Sequence, residues 1–568
     1  MNESKRTRRQ FIAGGTAAAV TAAALPLPAR SEKLPMSEQE QQQQDTGITQ
    51  QTIAEAEKLA GVEFTPDERA MIARSIGSDA QGYRERRRFT PPNGLGPACV
   101  FDPQLPGISY DVKGGLVLGD NTQIGPLPTN PEDIAFAPLS HLAAWLQRKE
   151  ISSVDLTKLY IARLKQHGPK LECVITLTED RAMQHAQAAD REIAAGNIRS
   201  HLHGIPWGAK DLLDTKGIRT TYGAMPWRER IADADATVVQ RLDEAGAVLV
   251  AKLTLGALAY GDIWFDGRTN NPFNVEQGSS GSSAGSAAAT AAGLVAFALG
   301  TETLGSIVSP CMRCGTTGLR PTFGRVARTG AMALCWSLDK IGPICRTADD
   351  CARVLAVING GDVGDPSSRT TPFAYDATRP IKGLRVGYDP TWFTGRRVSA
   401  MDKAMLEHAR ELELELVEIS LPDLPYSSLR CILMAEAASA FEEITLSNSD
   451  DTMRWQSPEA WPNAFRQSRF IPAIEVVQAE RLRRHCMSVM HDAFANIDAM
   501  IGPSFAGPML LVTNNTGHPS ITFRNGMESN GTPHGFTIWG RLYDEGTICS
   551  IATAMQQRVN VWDVRPKL

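Results

Sequence analysis

The segment from Gln277 to Arg320 constrains this chain more than any other. It opens with Gly278-Ser279-Ser280-Gly281-Ser282-Ser283-Ala284-Gly285-Ser286, continues as an apolar stretch, and reaches Gly300-Thr301-Glu302-Thr303-Leu304-Gly305-Ser306. Glycines let a backbone turn tightly and come close to a ligand. Successive N–H groups in such turns can form an anion-binding nest. A flexible linker has that opening composition, but it would not border the apolar run from Ala287 to Leu299, which predicts a buried helix. A serine beside an anion nest suits chemistry in which an oxyanion develops next to a nucleophile. The G-x-x-x-x-G-K-[ST] pattern of a phosphate loop is absent there.

A serine hydroxyl needs a base before it attacks a carbonyl, and no histidine lies in this segment. Upstream, Gly204-Ile205-Pro206-Trp207-Gly208-Ala209-Lys210-Asp211 ends a short apolar run on a lysine. Lysine is a base only when neutral, so burial must lower its pKa from about 10.4. A lysine closing a buried strand meets that condition. Taken by itself, Lys210 reads more readily as an exposed residue starting a loop.

The 568 residues are 42% hydrophobic and 21% charged, with a formal net charge of -5. That is ordinary globular composition and lacks the basic footprint of a nucleic-acid partner. Val248-Leu249-Val250, Leu384-Arg385-Val386-Gly387 and Ile521-Thr522-Phe523 read as buried strands, separated by helical stretches such as Ala236 to Ala245 and Met401 to Glu413. Strands alternating with helices predict an α/β fold with both sheet faces covered. Ser140 to Lys149 and Ser153 to His167 read as amphipathic helices opened by serine. Thr65-Pro66-Asp67-Glu68 carries the signature of a helix start. The proline- and glycine-rich run from Thr90 to Asn130 is expected to lie extended over the surface.

Thr7-Arg8-Arg9-Gln10-Phe11-Ile12 resembles a twin-arginine export motif and precedes an Ala/Gly-rich stretch to Leu25, with a small-residue site near Ala29. Gly14, Gly15, Pro26 and Pro28 interrupt that stretch, so a removable signal over residues 1–30 fits better than a bilayer span. The expectation is a periplasmic or secreted protein with no membrane span after processing. Its plan is a polar linker over 31–48, a helical and extended segment over 49–136, and a catalytic domain over 137–568. The ten cysteines are scattered. Cys311-Met312-Arg313-Cys314 has no second pair to make a zinc site and reads as core. His201 and His203, with no third ligand nearby, read as surface loop residues, so neither metal nor cofactor is expected.

Taken together, these stretches resemble the amidase-signature family. Its pattern runs G-G-S-S-G-G-S, an Ala-rich helix, G-T-D-T-G-G-S-I-R, then C-G-x-x-G-L-K-P-T. The corresponding residues here are Ser280 to Ser286, Gly300 to Val308, and Cys314-Gly315-Thr316-Thr317-Gly318-Leu319-Arg320-Pro321-Thr322. Ser282 and Ser306 lie 24 residues apart, matching the family's two catalytic serines. Gly204 to Asp211, Asp235 to Val239, Ser337 to Pro343 and Gly517 to Ile521 also fit, so the likeness spans roughly Ala137 to Gln557.

The resemblance implies a large twisted mixed sheet with helices on both faces and a small-molecule amide as substrate. Ser306 would be the nucleophile, Ser282, on a cis peptide bond, the proton relay, and neutral Lys210 the base. Backbone N–H groups of Thr303, Leu304, Gly305 and Ser306 would form the oxyanion hole. Two positions depart from the pattern. Leu304 stands where the family has glycine, so a positive φ there would strain the turn. Val308 replaces an arginine.

Three other readings stay open. Gly281-Ser282-Ser283-Ala284-Gly285 satisfies G-x-S-x-G, which would make Ser283 an esterase nucleophile, but that elbow needs a preceding buried strand. An inactive binding protein on the same scaffold is a second. The amidase component of a tRNA-dependent amidotransferase resembles the chain over the same span, and the export motif speaks against it. Trp207, Tyr222, Met225, Trp227, Trp264 and Trp336 are candidates for an apolar acyl pocket or for core.

Overall fold

The computed structural model describes residues 47–88, 91–110, 112–120, 123–395 and 398–568. The export motif and most of the polar linker lie outside them. The chain divides into two compact units, one ending at Phe89 and one starting at Thr90. In the first, helices Gln50–Ala60 and Pro66–Arg86 each open on a capping box. Thr65 and Glu68 exchange side-chain and backbone bonds, and Pro66 takes the first turn, as the sequence predicts. Arg69 pairs with Glu57, linking the two helices.

The second unit is built on one eleven-stranded sheet. In chain order its strands are β1 (Val174–Leu177), β2 (Pro206–Lys210), β3 (Val248–Leu253), β4 (Phe297–Glu302), β5 (Thr317–Arg320), β6 (Lys340–Cys345), β7 (Arg385–Tyr388), β8 (Glu415–Glu418), β9 (Ala499–Pro503), β10 (Ser520–Met527) and β11 (Pro533–Gly540). In space they run β8-β7-β9-β11-β10-β5-β6-β4-β2-β3-β1. The sheet is mixed: β4, β2 and β3 are parallel neighbours, and β5, β6 and β4 are antiparallel.

Side chains alternate across a strand, and here they feed two apolar clusters. Val248, Val250, Ala298 and Ile344 pack with Leu164, Ala287 and Ala288 from covering helices. Leu249, Phe297, Leu299 and Ile341 pack with Leu142, Val238 and Leu355 from others. The α/β architecture with both faces covered is therefore present.

Four local expectations shift. The predicted helix over Ala287–Leu299 is instead a helix at Ala284–Ala291 followed by β4. Gly293, at φ +62°, turns the chain, and pairing of Trp207, Gly208 and Ala209 with Phe297, Ala298 and Leu299 draws the rest into the sheet. Serine does not open the helix Leu139–Gln147, which starts after Pro138. The helix Ser153–Leu171 is capped by Ser152 rather than Ser153, whose hydroxyl binds the Gly204 carbonyl. The surface reading fails for His203, while His201 is half-buried. His203 is buried with Nδ1 taking the Arg199 N–H, and His201 Nε2 lies 2.8 Å from the Arg353 carbonyl.

Candidate active site

β2 ends on Lys210, and the sheet buries that side chain completely because β3 and β4 flank it. Its amine bonds three hydroxyls: Ser282 Oγ at 2.9 Å, Ser283 Oγ at 3.1 Å and Thr301 Oγ1 at 2.8 Å. Among the described residues, no carboxylate is bonded to it. Burial, opposed only by the more distant charges of Asp339 and Glu302, pulls its pKa down to about 7. The exposed-loop reading of Lys210 is thereby set aside.

The first serine-bearing loop meets this amine, and the second is tied to the first. The Gly281–Ser282 peptide bond is cis. The Ser283 N–H donates to the Ser306 carbonyl at 3.2 Å, tying the first loop to the second. Ser283 Oγ takes the Thr301 N–H and donates to the Thr301 carbonyl, both at 3.1 Å. With the Lys210 contact added, that hydroxyl is fully used. The polar run before it forms a small hairpin, Asn270–Asn271 with Asn274–Gly278, outside the main sheet. The buried strand required by a nucleophile elbow is not there. Ser306 keeps 8% of its surface exposed against 1% for Ser282, which leaves Ser306 the more accessible of the two.

The turn from Thr303 to Ser306 is held from both sides. Thr303 Oγ1 donates to Asp339 Oδ1 at 2.5 Å, and Asp339 Oδ2 accepts from the N–H groups of Leu334 and Cys335. On the other side, Glu302 Oε2 takes the N–H groups of Ile307 and Val308 at 2.8 and 3.0 Å. Its Oε1 takes Arg320 and Asn514. Burial opposes the charge on Glu302, yet the Arg320 guanidinium and the Val308 N–H hold the carboxyl at about 2. Among the described residues, no acceptor meets the N–H groups of Leu304, Gly305 and Ser306.

The strain expected at Leu304 is absent. The positive φ falls one residue later, on Gly305 at +88°, and Leu304 packs against the core. Val308 is buried at the first position of the helix Val308–Cys314. Cys311 and Cys314 are buried on the same helix. Glu302, Arg320, Asp339 and Asn514 were not singled out from sequence. A charge inside the apolar strands β4 and β5 was the available signal.

Beside these groups is a cavity of about 200 Å³ whose lining includes Thr301 and Thr303. Leu212, Met332, Leu334 and Trp336 contribute to its walls. Of the six aromatic and methionine candidates, Trp336 lines it, while Trp207 stacks on Phe297 in the core.

The model of the family described as Amidase matches residues 155–512. The chain belongs to the amidase-signature family. Among curated relatives, a glutamyl-tRNA(Gln) amidotransferase subunit of Geobacter metallireducens is 34% identical over 461 residues, covering 72% of this chain and 95% of that protein. Its counterpart in a Roseiflexus species is 35% identical over 475 residues, covering 75% and 97%. Among solved structures, the native peptide amidase of Stenotrophomonas maltophilia aligns with a TM-score of 0.68 at 28% identity, covering 76% of this chain and 98% of that one. This amidase-signature enzyme thus carries the family fold, with Lys210 at the end of β2 and Ser282 and Ser306 on two joined loops.

Proposed function

We propose that the protein hydrolyses a carboxamide C–N bond through an acyl-enzyme on Ser306, with Ser282 and Lys210 as the proton relay. The observation that carries this is the buried Lys210 amine, bonded to hydroxyls only and held at about 7. A neutral amine has two protons to donate and one lone pair. Ser283 gives its proton to the Thr301 carbonyl, so it can only accept from Lys210. The lone pair is left for Ser282 or Thr301, and Ser282 is the one that sits in the loop tied to Ser306.

In the first half-reaction, Ser306 Oγ bonds to the substrate carbonyl carbon. Its proton passes to Ser282 Oγ, which releases its own to Lys210 Nζ. The carbonyl oxygen becomes an oxyanion facing the N–H groups of the turn Thr303–Ser306. Collapse breaks the C–N bond, and the amine leaves with the proton returned from Lys210 through Ser282. Water then repeats the sequence on the ester, freeing the acid and Ser306.

Labelling with a fluorophosphonate, alongside hydrolysis of an aryl, peptide and fatty amide panel, tests this. The expected result is labelling and hydrolysis that vanish in Ser306→Ala. Labelling lost only in Ser283→Ala would move the nucleophile to Ser283. Neither labelling nor hydrolysis would mean a binding protein. The likeness to amidotransferase subunits favours a second reading, in which the released ammonia is passed on. Amide transfer to glutamyl-tRNA(Gln), together with retention of the full chain in the cytoplasmic fraction, would establish it in place of hydrolysis.

A further inference from the structure

The cavity beside Thr301 and Thr303 is walled on its outer side by residues the family match does not include. Gly94, Gly96, Pro97, Cys99, Val100 and Phe101 line it, and all precede the matched stretch at 155–512. Their segment is a strap fixed at both ends. At one end the Asn93 side chain bonds both backbone groups of Ala333, accepting at 2.7 Å and donating at 2.9 Å, and its carbonyl takes the Trp336 indole N–H at 3.1 Å. Gly96 lies so close to Trp336 that a Cβ there would stand 3.1 Å from the indole ring. At the other end Phe101 packs on Phe323, with the Arg483 guanidinium 3.3 Å from its ring centre. Asp102 pairs with Arg369.

Between these anchors, Val100 lines the cavity and keeps 45% of its surface exposed. Apolar residues held over a cavity by fixed ends are placed to contact an occupant. Of the charged groups around the cavity, Arg328, Asp365 and Asp339 are already committed. Arg328 pairs with Asp365 at 3.0 Å, and Asp339 holds Thr303 and the Leu334–Cys335 backbone. The Lys340 amine is buried out of an occupant's reach; it has no hydrogen-bond partner among the described residues, and burial holds it well below the usual lysine range. The walls thus offer an occupant apolar contact and no spare charge. An apolar cavity of about 150 Å³ holds one benzene, so about 200 Å³ takes a single ring with a carboxamide attached.

We propose that the strap Asn93–Phe101 is the outer wall of the acyl pocket, and that it selects amides of a single-ring aromatic acid. The carboxamide would lie beside Thr301 and Thr303 and the ring between Trp336 and Val100. The substrate class rests on the hydrolytic reading above; the occupancy of the cavity does not.

Cys99 gives a readout independent of catalysis. It is the exposed cysteine of the chain and lines the cavity, whereas the others are buried or, for Cys431, half-buried. Alkylation of Cys99 by iodoacetamide is followed in the full-length Ser306→Ala protein with and without benzamide. The expected result is slowing of roughly tenfold at about ten times the benzamide Kd, lost in Asn93→Ala/Ser306→Ala. In the Ser306-containing protein, Val100→Trp should lower the kcat/KM ratio of benzoyl over acetyl anilides by about tenfold or more, at an unchanged Tm. No protection by benzamide, or an unchanged ratio in Val100→Trp, overturns the assignment. Protection without any hydrolysis leaves the pocket standing and overturns the hydrolytic reading alone.

Discussion

Two lysines on neighbouring strands meet different company. Lys210 closes β2 and Lys252 lies near the end of β3, where it pairs in register with Ala209. Both are completely buried. Lys252 faces the Asp211 carboxylate at 2.9 Å and the Thr220 hydroxyl at 2.6 Å. Lys210 faces three hydroxyls. Burial pulls both amines down, and at Lys252 contact with Asp211 pushes back. Burial alone therefore does not make a base. The partner set decides whether an enclosed amine is half of an ion pair or a group that can give up its proton near neutral pH.

The comparison is broken most readily by exchanging each amine for an isosteric apolar chain. Lys210→Met should lower kcat/KM for the proposed hydrolysis by about 10² to 10⁴, the usual span for loss of a general base, with a Tm close to that of the parent. Activity within a few-fold of the parent would remove Lys210 from the relay.

Lys252→Met should do the reverse, because it leaves Asp211 buried and unpaired. The expected cost is about 3–5 kcal/mol of stability, read by denaturant unfolding, and Lys252→Met/Asp211→Leu should recover part of it. An unfolding midpoint equal to the parent's would mean that the pair contributes nothing.

The last test sharpens the contrast through pH. A base must be unprotonated, so kcat/KM should rise as pH passes upward through about 7 and then level. Because the folded pKa lies below the unfolded value of about 10.4, the unfolded chain binds more protons between those limits. Lys210 therefore adds stability as pH rises from about 7 towards 10. That increment should be missing from unfolding curves of Lys210→Met. A rate that falls with pH across 7 would exclude the neutral amine as base.

How much of this could be read from the chain follows from what each feature depends on. The serine loops and Lys210 stand in local runs of glycine and apolar residues, and the family spacing joins them. That the Lys210 amine meets hydroxyls only depends on β4 lying next to β2, which no local pattern contains. The same holds for the end of the helix Ala284–Ala291. Alanine, leucine and valine fill Ala287 to Leu299 without a period that separates helix from strand, and pairing with Trp207 to Ala209 decides it. Leu304 drew attention because the family has glycine there, but the left-handed residue is Gly305, a distinction only the backbone reveals. Asn93 looks like any loop residue until Ala333 and Trp336, some 240 positions away, donate to it.

Consider last the register of β4 against β6, with Thr301 opposite Ile341 and Glu302 opposite Lys340. The strand works as a partition. Thr301 presents an uncharged hydroxyl to Lys210, while the next residue delivers a carboxylate to Arg320 on the other side. Deleting one residue between Phe297 and Gly300 would exchange the two. A carboxylate would then reach the Lys210 amine, and the base would become a second ion pair like Lys252. Length in this stretch is thus held more tightly than composition, since one missing residue would change the charge state of a group that no point substitution there touches.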